Sequence, residues 1–560
     1  MMIDSHSKTG LLSNFQIDLS KPRNQTKPLA TISLSVALLI LIPWWLLAQV
    51  NLTSSNLPII VIDTHGQTIV DESRIVADMG VIDNGKGNRN YITDPYNNYD
   101  GKIVIELRGS SSMLWPKKQY RVETIDANGE DLDVALLGFP AEADWIFYGP
   151  YDDKTFIRNV LPFELSRAIG RYASRTRYFE LIINNDYKGI YILMEKIKRD
   201  KNRVNIAKCE PQDTSGDALT GGYIIKLDKI EGENVGYWYS PNNIQYQYDY
   251  PKPSEITAQQ KKYIQKFIAA FESIMKSPQV DDPISGYAGI IDEASFVDYF
   301  LLNELARNID AYRLSAFLYK NRDSKGGKLQ AGPIWDMNLT FGHAWYEQDR
   351  NLYGGWEIDH NKRLTFDIPK IPFWWEVLVR RPTFAYHAAQ RWFALRSTTF
   401  HLDTLYRMID SLQNVVTEAQ YRNYLRWPEM GTATTFQQEI NYLKNWLALR
   451  IGWIDANIEQ LADIANSPET GIPQRWVLNQ NYPNPFNSVT WISFSILTKA
   501  PITIEVFDLQ GRLIQVLTNK ILPVGDYQLQ FDGAQLSSGI YLYRLRSGDF
   551  TQYKKMLLVK

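Results

Sequence analysis

Residues Asn308 to Gly342 read NIDAYRLSAFLYKNRDSKGGKLQAGPIWDMNLTFG, and the fold turns on this stretch. Asp310 follows a helical run from Ser295 to Ala306 and precedes an alternating strand through Leu314, Ala316 and Leu318. A hairpin separates it from Asp336, which closes another apolar stretch and leads into Leu339, Phe341 and Gly342. Carboxylates separated by a hairpin can converge on one site. A kinase needs that layout, with one acid orienting a hydroxyl and the other holding a metal, because phosphoryl transfer is mostly positioning and charge neutralisation. A metalloenzyme or a glycosidase could use the same pair. Two turn aspartates that never meet are the plain alternative.

The neighbours of the pair extend the reading. Asn338 points to the same face as Asp336 if the stretch is extended, and its amide oxygen could ligate Mg²⁺. No HExxH and no His/Cys cluster occurs, which argues against zinc. His343 reads as a polar residue at the rim. Upstream, RGSSSMLWPKKQYRVE (Arg108 to Glu123) is a candidate phosphate grip: Arg108, Lys117 and Lys118 are cations, and Gly109 with three serines offers backbone donors. A solvated turn with basic decoration is the alternative. Neither GxxxxGK[ST] nor GxGxxG is present. Arg158 and Glu164 fall on an expected helix, and Glu195 lies near the end of a hydrophobic strand. A Lys118–Glu164 pair joining strand to helix would hold a phosphate-binding lysine; a surface salt bridge is the alternative.

The 560 residues are enough for two or three domains. A content of 44% hydrophobic and 22% charged residues is that of a folded protein, and a net charge of −2 gives no reason to expect nucleic acid as a partner. The 16 Trp and 33 Tyr are core, or else a stacking surface for sugars or purines; Trp335/Trp345, Trp356 and Trp374/Trp375 are the clusters. The single cysteine, Cys209, permits no intramolecular disulfide and reads as a packing residue.

Residues 1–28 are mostly polar and end in basic residues; 29–49 contain the apolar run LATISLSVALLILIPWWLLA. At about 20 residues the run is long enough to cross a bilayer. Basic residues before it place the N-terminus in the cytoplasm and send the rest across, whether the segment is cleaved or anchors the chain. It is the one membrane segment expected.

Beyond it, IIVID (59–63), KIVIELRG (102–109), QYRVET (119–124), YFELIINN (178–185), GIYILMEKI (189–197) and GGYIIKLD (221–228) read as strands. A helix is expected over Lys154 to Ile169, with Asp152 and Asp153 as caps and Pro162 as a possible kink. Later segments are helical, including the amphipathic run after Thr257 and a long helix from Thr435, with Gln438 completing a capping box, to about Leu461. This order predicts an α+β fold with a β-rich small lobe on a larger helical lobe, and a ligand cleft between them. Residues 462–473 form a linker, and the short alternating strands of 474–560 predict a small β-sandwich.

The ordered segments RGSSSMLWPKKQY, LLGFPAEADWIFYGPYDDKTFIRNVLPFELSRAIGRYASRTRYFELIINNDYKGIYILMEKIKRDKNRVNI, GGYIIKLDK, NIDAYRLSAFLYKN and GPIWDMNLTFGHA together resemble the spore-coat-H (CotH) kinase family over residues 57–461. The resemblance implies an atypical protein-kinase-like domain that uses ATP with Mg²⁺ or Mn²⁺ and phosphorylates Ser/Thr of a protein substrate. It implies that Asp310 is the catalytic Asp and Asp336 the metal-binding Asp. Arg108 and Lys118 then fall in the segment for nucleotide phosphates, and Glu195 beside the nucleotide. Related sequences often carry a second Asp where this chain has Asn338, and Asn where it has His343, so a catalytically weakened pseudokinase serving as a surface scaffold is the second expectation. NQNYPNPFN (479–487), VFDLQGRLI (506–514), LSSGIYLYRL (536–545) and KKMLLVK (554–560) resemble a type IX secretion C-terminal sorting domain, an immunoglobulin-like module. That implies Sec export, engagement of the type IX machinery through 474–560, and delivery to the outer-membrane surface or medium.

Overall fold

A computed structural model describes residues 50–559, apart from 72, 231–234, 344–351, 364–368, 432–433, 462–476, 479, 482–483, 497–498, 524 and 549. The apolar run 29–48, the linker 462–473 and Trp345 lie outside the described residues. Among those described, no helix is long and apolar enough to cross a membrane.

The first strands close on themselves. β1 (Ile59–Asp63), β2 (Ile75–Ile82), β3 (Tyr99–Arg108), β4 (Gln119–Ile125), β5 (Asp144–Tyr148), β6 (Thr176–Ile183) and β7 (Asp186–Glu195) form a barrel in the order β1-β2-β3-β4-β5-β7-β6. The parallel pairing of Ile59 with Glu180 and of Ile62 with Ile183 closes it, and closure leaves no open edge. Alternation fills the interior: Ile103 and Ile105 of β3, Val122 of β4, Trp145 and Phe147 of β5 and Leu193 of β7 point inward. Asn184 and Asn185, both at positive φ, make the two-residue β6–β7 turn, where Asn tolerates the left-handed region.

The helix expected over 154–169 is shorter. α1 spans Val160–Ala168. The Asp153 carboxylate accepts from the Thr155 hydroxyl (2.6 Å) and from the backbone N–H of Thr155 (2.9 Å) and Arg158 (2.8 Å), and Phe156 sits at φ 62°. These bonds hold 153–158 as a loop, so Arg158 precedes the helix instead of lying a turn inside it. Pro162 falls in the first turn, where its missing N–H costs nothing.

The region expected to be mainly helical contains a five-stranded antiparallel sheet. β8 (Tyr223–Leu227), β9 (Tyr237–Tyr239), β10 (Gln245–Tyr250), β11 (Ala316–Lys320) and β12 (Leu329–Ala331) run in the order β9-β10-β8-β11-β12. The β11–β12 hairpin is the one between Asp310 and Asp336, with Leu318 opposite Ala331. Helices α2 (Ala258–Met275), α3 (Glu293–Ala306), α4 (Phe373–Val379), α5 (Pro382–Arg396), α6 (Leu402–Val416), α7 (Ala419–Arg426) and α8 (Phe436–Asn457) complete this part. Capping boxes at Thr257/Gln260 and Thr435/Gln438 start α2 and α8. α3 is buried along its length from Ser295 to Ala306. Trp356, Trp374 and Trp375 pack in the same core, so these tryptophans stabilise the interior and form no stacking surface. Cys209 is buried there too, and burial pushes its thiol up to about 11.

A buried ion pair anchors α3. Glu304 accepts from Arg450 (2.9 Å), from the Tyr312 hydroxyl (3.0 Å) and from the backbone N–H of Glu357 (2.7 Å) and Ile358 (2.9 Å). Replacing Arg450 by Met leaves that carboxylate uncompensated, with an expected loss of about 3–5 kcal/mol of stability. Urea unfolding measures it, and an unchanged midpoint would refute the role.

The barrel and the helices meet at α7. Arg422 pairs with Glu180 at 2.6 Å, and Asn423 Oδ1 accepts from the Ile190 N–H and from the buried Lys117 side-chain nitrogen. At the C-terminus, β13 (Val477–Leu478), β14 (Val489–Ile496), β15 (Ala500–Phe507), β16 (Leu513–Leu522), β17 (Gly525–Asp532), β18 (Gly539–Ser547) and β19 (Phe550–Leu558) form two antiparallel sheets, β13-β14-β17 and β16-β15-β18-β19. Ile492, Phe494, Ile504, Tyr543 and Leu558 share one core between them.

Candidate functional site

α3 delivers Asp310. The helix ends at Arg307, in the left-handed region at φ 46°, and Asp310 follows in the turn. The chain then runs through the β11–β12 hairpin and returns: the Phe341 N–H bonds the Ala306 carbonyl at 2.7 Å. That bond closes a loop containing both acids. Asp336 itself sits at φ 54°, a strained conformation for a residue with a Cβ. Its neighbour fixes it. The Met337 N–H bonds Asn159 Oδ1 at 2.9 Å, and the Met337 carbonyl accepts from the Thr340 hydroxyl at 2.8 Å.

The charges around Asp336 are unbalanced. Surrounding protein and the carboxylate of Asp310 raise its pKa to about 7; Arg108 opposes the rise, while Asp228 and Asp152 add to it. Asp336 is nonetheless an exposed residue that solvent reaches. Among the described residues Asp336 accepts no hydrogen bond and forms no close ion pair, and the Asn338 amide is likewise unengaged. Asp310 lies 3.5 Å from Arg313. Asp152, pushed up to about 6 by burial and by Asp153, has His343 at 3.9 Å. Burial and Arg158 hold His343 down at about 4, so it is neutral at pH 7. At Asp336 itself three other carboxylates act against the Arg108 guanidinium, a balance that favours a cation over an anion there.

The other expected residues divide. Arg108, at the end of β3, shares the field of Asp336 and contacts Gln119 at 3.3 Å. Lys118 instead donates to the Met113 carbonyl at 2.6 Å, within the Ser-rich turn. The Lys118–Glu164 pair is not formed: Glu164 pairs with Arg167 on its own helix at 2.6 Å. Glu195 is fully buried and receives Arg175 at 2.6 Å, with Arg203 at 3.8 Å, so it braces the barrel end and is not open to a ligand. Arg158 is buried on Asp153 at 2.7 Å and faces Glu439 at 3.7 Å; it supports the loop beneath Asp336. Sequence reasoning missed Asp228 and Asn159, and took Asp152 only for a cap. Asp228 closes the run GGYIIKLD and Asn159 stands directly before α1, but neither position alone signals a site.

The donor chemistry of Asp336 and Asn338 would suit a divalent cation that takes most of its ligands from elsewhere. Mg²⁺ beside phosphates takes one or two protein carboxylates and fills its remaining positions with phosphate and water. Asp336 and the Asn338 oxygen match that donor set. Among the described residues, no group of three or more His, Cys, Asp or Glu is placed to hold a metal alone.

A barrel joined to a sheet-and-helix body, with a C-terminal β-rich region, defines an α+β protein. Residues 105–454 match the family model of the CotH kinase protein, and the chain belongs to that family. Residues 480–560 match the secretion system C-terminal sorting domain, which marks a chain for export to the outer-membrane surface or extracellular space. No curated protein matches the chain. Among solved structures, it is similar to dimeric latent PorU from Porphyromonas gingivalis, at 22% identity over 16% of this chain and 10% of that one, with a TM-score of 0.14. It is also similar to the twitchin kinase region from C. elegans, at 11% identity over 88% of this chain and 97% of that one, with a TM-score of 0.16. Neither likeness bears on the fold.

Proposed function

We propose that the chain is a secreted or surface kinase that transfers a phosphoryl group from ATP, with Mg²⁺ or Mn²⁺, to a protein Ser/Thr hydroxyl. The observation that carries this reading is the solvent-reached Asp336 carboxylate, without a hydrogen-bond or close ion-pair partner among the described residues and under the influence of like charges and of Arg108. Asp336, with Asn338, would hold the cation, which would neutralise phosphate charge. Asp310 orients the acceptor hydroxyl and takes its proton. Arg108 is the cation assigned to the phosphates; Lys118 joins it only on leaving the Met113 carbonyl. On this reading the barrel and the sheet-and-helix body are the two lobes of a kinase-like domain, and the C-terminal sheets are an immunoglobulin-like sandwich engaged by the type IX machinery after Sec export.

Proton and cation compete for Asp336. Its raised pKa means that metal-dependent nucleotide affinity increases as pH rises towards about 7 and levels off above it. Below that point the expected loss is about tenfold per pH unit. Equilibrium binding of an ATP analogue with Mn²⁺ between pH 5.5 and 8.5 checks this; a flat profile would remove Asp336 from the metal site.

A second reading, a weakened pseudokinase acting as a surface scaffold, is favoured by Asn338, which supplies an oxygen without a charge. Metal-dependent nucleotide binding without transfer to any acceptor would select it.

A further inference from the structure

The two acids lie on opposite arms of a hairpin, and one buried amide bonds the backbone of Asp310 and the side chain of Met337, the residue after Asp336. Asn308 Oδ1 accepts from the Asp310 N–H at 3.2 Å. The same amide's Nδ2 donates to Asn303 Oδ1 at 3.2 Å and to the Met337 sulfur at 3.3 Å. Met337 is fully buried and directly follows Asp336, and its N–H is held by Asn159. Asn308 and Asn159 are each 3% exposed, so water does not substitute for these bonds. A chain of contacts therefore runs from the Asp310 backbone through Asn308 and the Met337 thioether to the backbone beside Asp336. Asp336 is at positive φ, and strain of that kind persists only where the surroundings over-determine it.

We propose that Asn308 and Met337 form a buried tie that fixes the placement of Asp310 relative to Asp336. They are positioning residues: neither touches a reacting atom. The catalytic consequence rests on the kinase reading above, whereas the structural consequence does not. Met337→Leu keeps the volume and the Asn159 bond but removes the sulfur acceptor. Asn308→Ala removes the whole tie.

The test is residue-resolved hydrogen exchange on the full-length chain, joined to steady-state kinetics. In Met337→Leu, the Asp310 amide is expected to exchange roughly tenfold faster although the substitution lies on the other arm of the hairpin. In Asn308→Ala, protection is expected to fall at both Asp310 and Met337. A misplaced acid costs up to about 100-fold in rate, so kcat should fall about 10- to 100-fold in Asn308→Ala while the nucleotide KM stays within about threefold. Unchanged exchange at Asp310 in Met337→Leu would overturn the tie, as would an effect in Asn308→Ala confined to one arm. If the wild type transfers no phosphate, the kinase reading fails and the exchange data still decide the tie.

Discussion

Asp336→Ala is expected to abolish metal-dependent nucleotide binding without destabilising the apo protein. The two halves of that result share one cause. Asp336 is the carboxylate that feels the like charges of Asp310, Asp228 and Asp152, opposed by Arg108. Removing it relieves repulsion among like charges, so the apo melting temperature should hold or rise. On the kinase reading the same substitution would take away the one charged ligand beside Asn338, and a neutral amide alone does not hold a strongly hydrated dication. Affinity for an ATP analogue in Mn²⁺ should therefore drop by at least about 100-fold, the upper range seen when even supporting groups of a metal site are lost. Isothermal titration measures the affinity and calorimetry the melting temperature. A large fall in apo stability would make Asp336 a structural residue instead.

Asp310→Ala should separate binding from transfer. Asp310 sits in the turn after α3 with its backbone held by Asn308, and it approaches Arg313 at 3.5 Å. The acceptor hydroxyl is a weak nucleophile, and a positioned base is worth about 10²–10⁴ in rate. Transfer should fall by that factor while metal-dependent nucleotide affinity changes little. Single-turnover phosphorylation, measured alongside nucleotide binding, reads both quantities. Loss of binding in Asp310→Ala would place this acid among the metal ligands and leave the base unassigned.

The hairpin and the two acids that flank it were more legible in the sequence than the contacts that hold them. Asp310 and Asp336 flank a hairpin that forms as β11 and β12, because alternation along Ala316–Lys320 and the glycines before Leu329 encode it locally. The strands of residues 59–63, 102–109 and 119–124 were legible for the same reason. β2 and β5 were not read, and neither was closure of the barrel, which depends on the distant parallel pairing of Ile59 with Glu180. The start of α1 was misplaced because a helix-like apolar pattern is overridden by Asp153, whose carboxylate locks the preceding loop. Lys118 and Glu164 were paired on the logic of a strand reaching a helix. In the fold, adjacent turns satisfy each of them first, through Met113 and Arg167. Asn159, Asp228 and Asn308 act through tertiary contacts that no local pattern contains.

The central claim is that Asp336 and its neighbours form a nucleotide–metal site. A thermal-shift titration of the full-length chain with a non-hydrolysable ATP analogue and Mn²⁺ tests it most directly. At 100 times the dissociation constant, binding should stabilise the native state by about 2.7 kcal/mol. The expected result is a rise in melting temperature that requires both components and is absent in Asp336→Ala. No shift with both present, or the same shift in Asp336→Ala, would contradict the account.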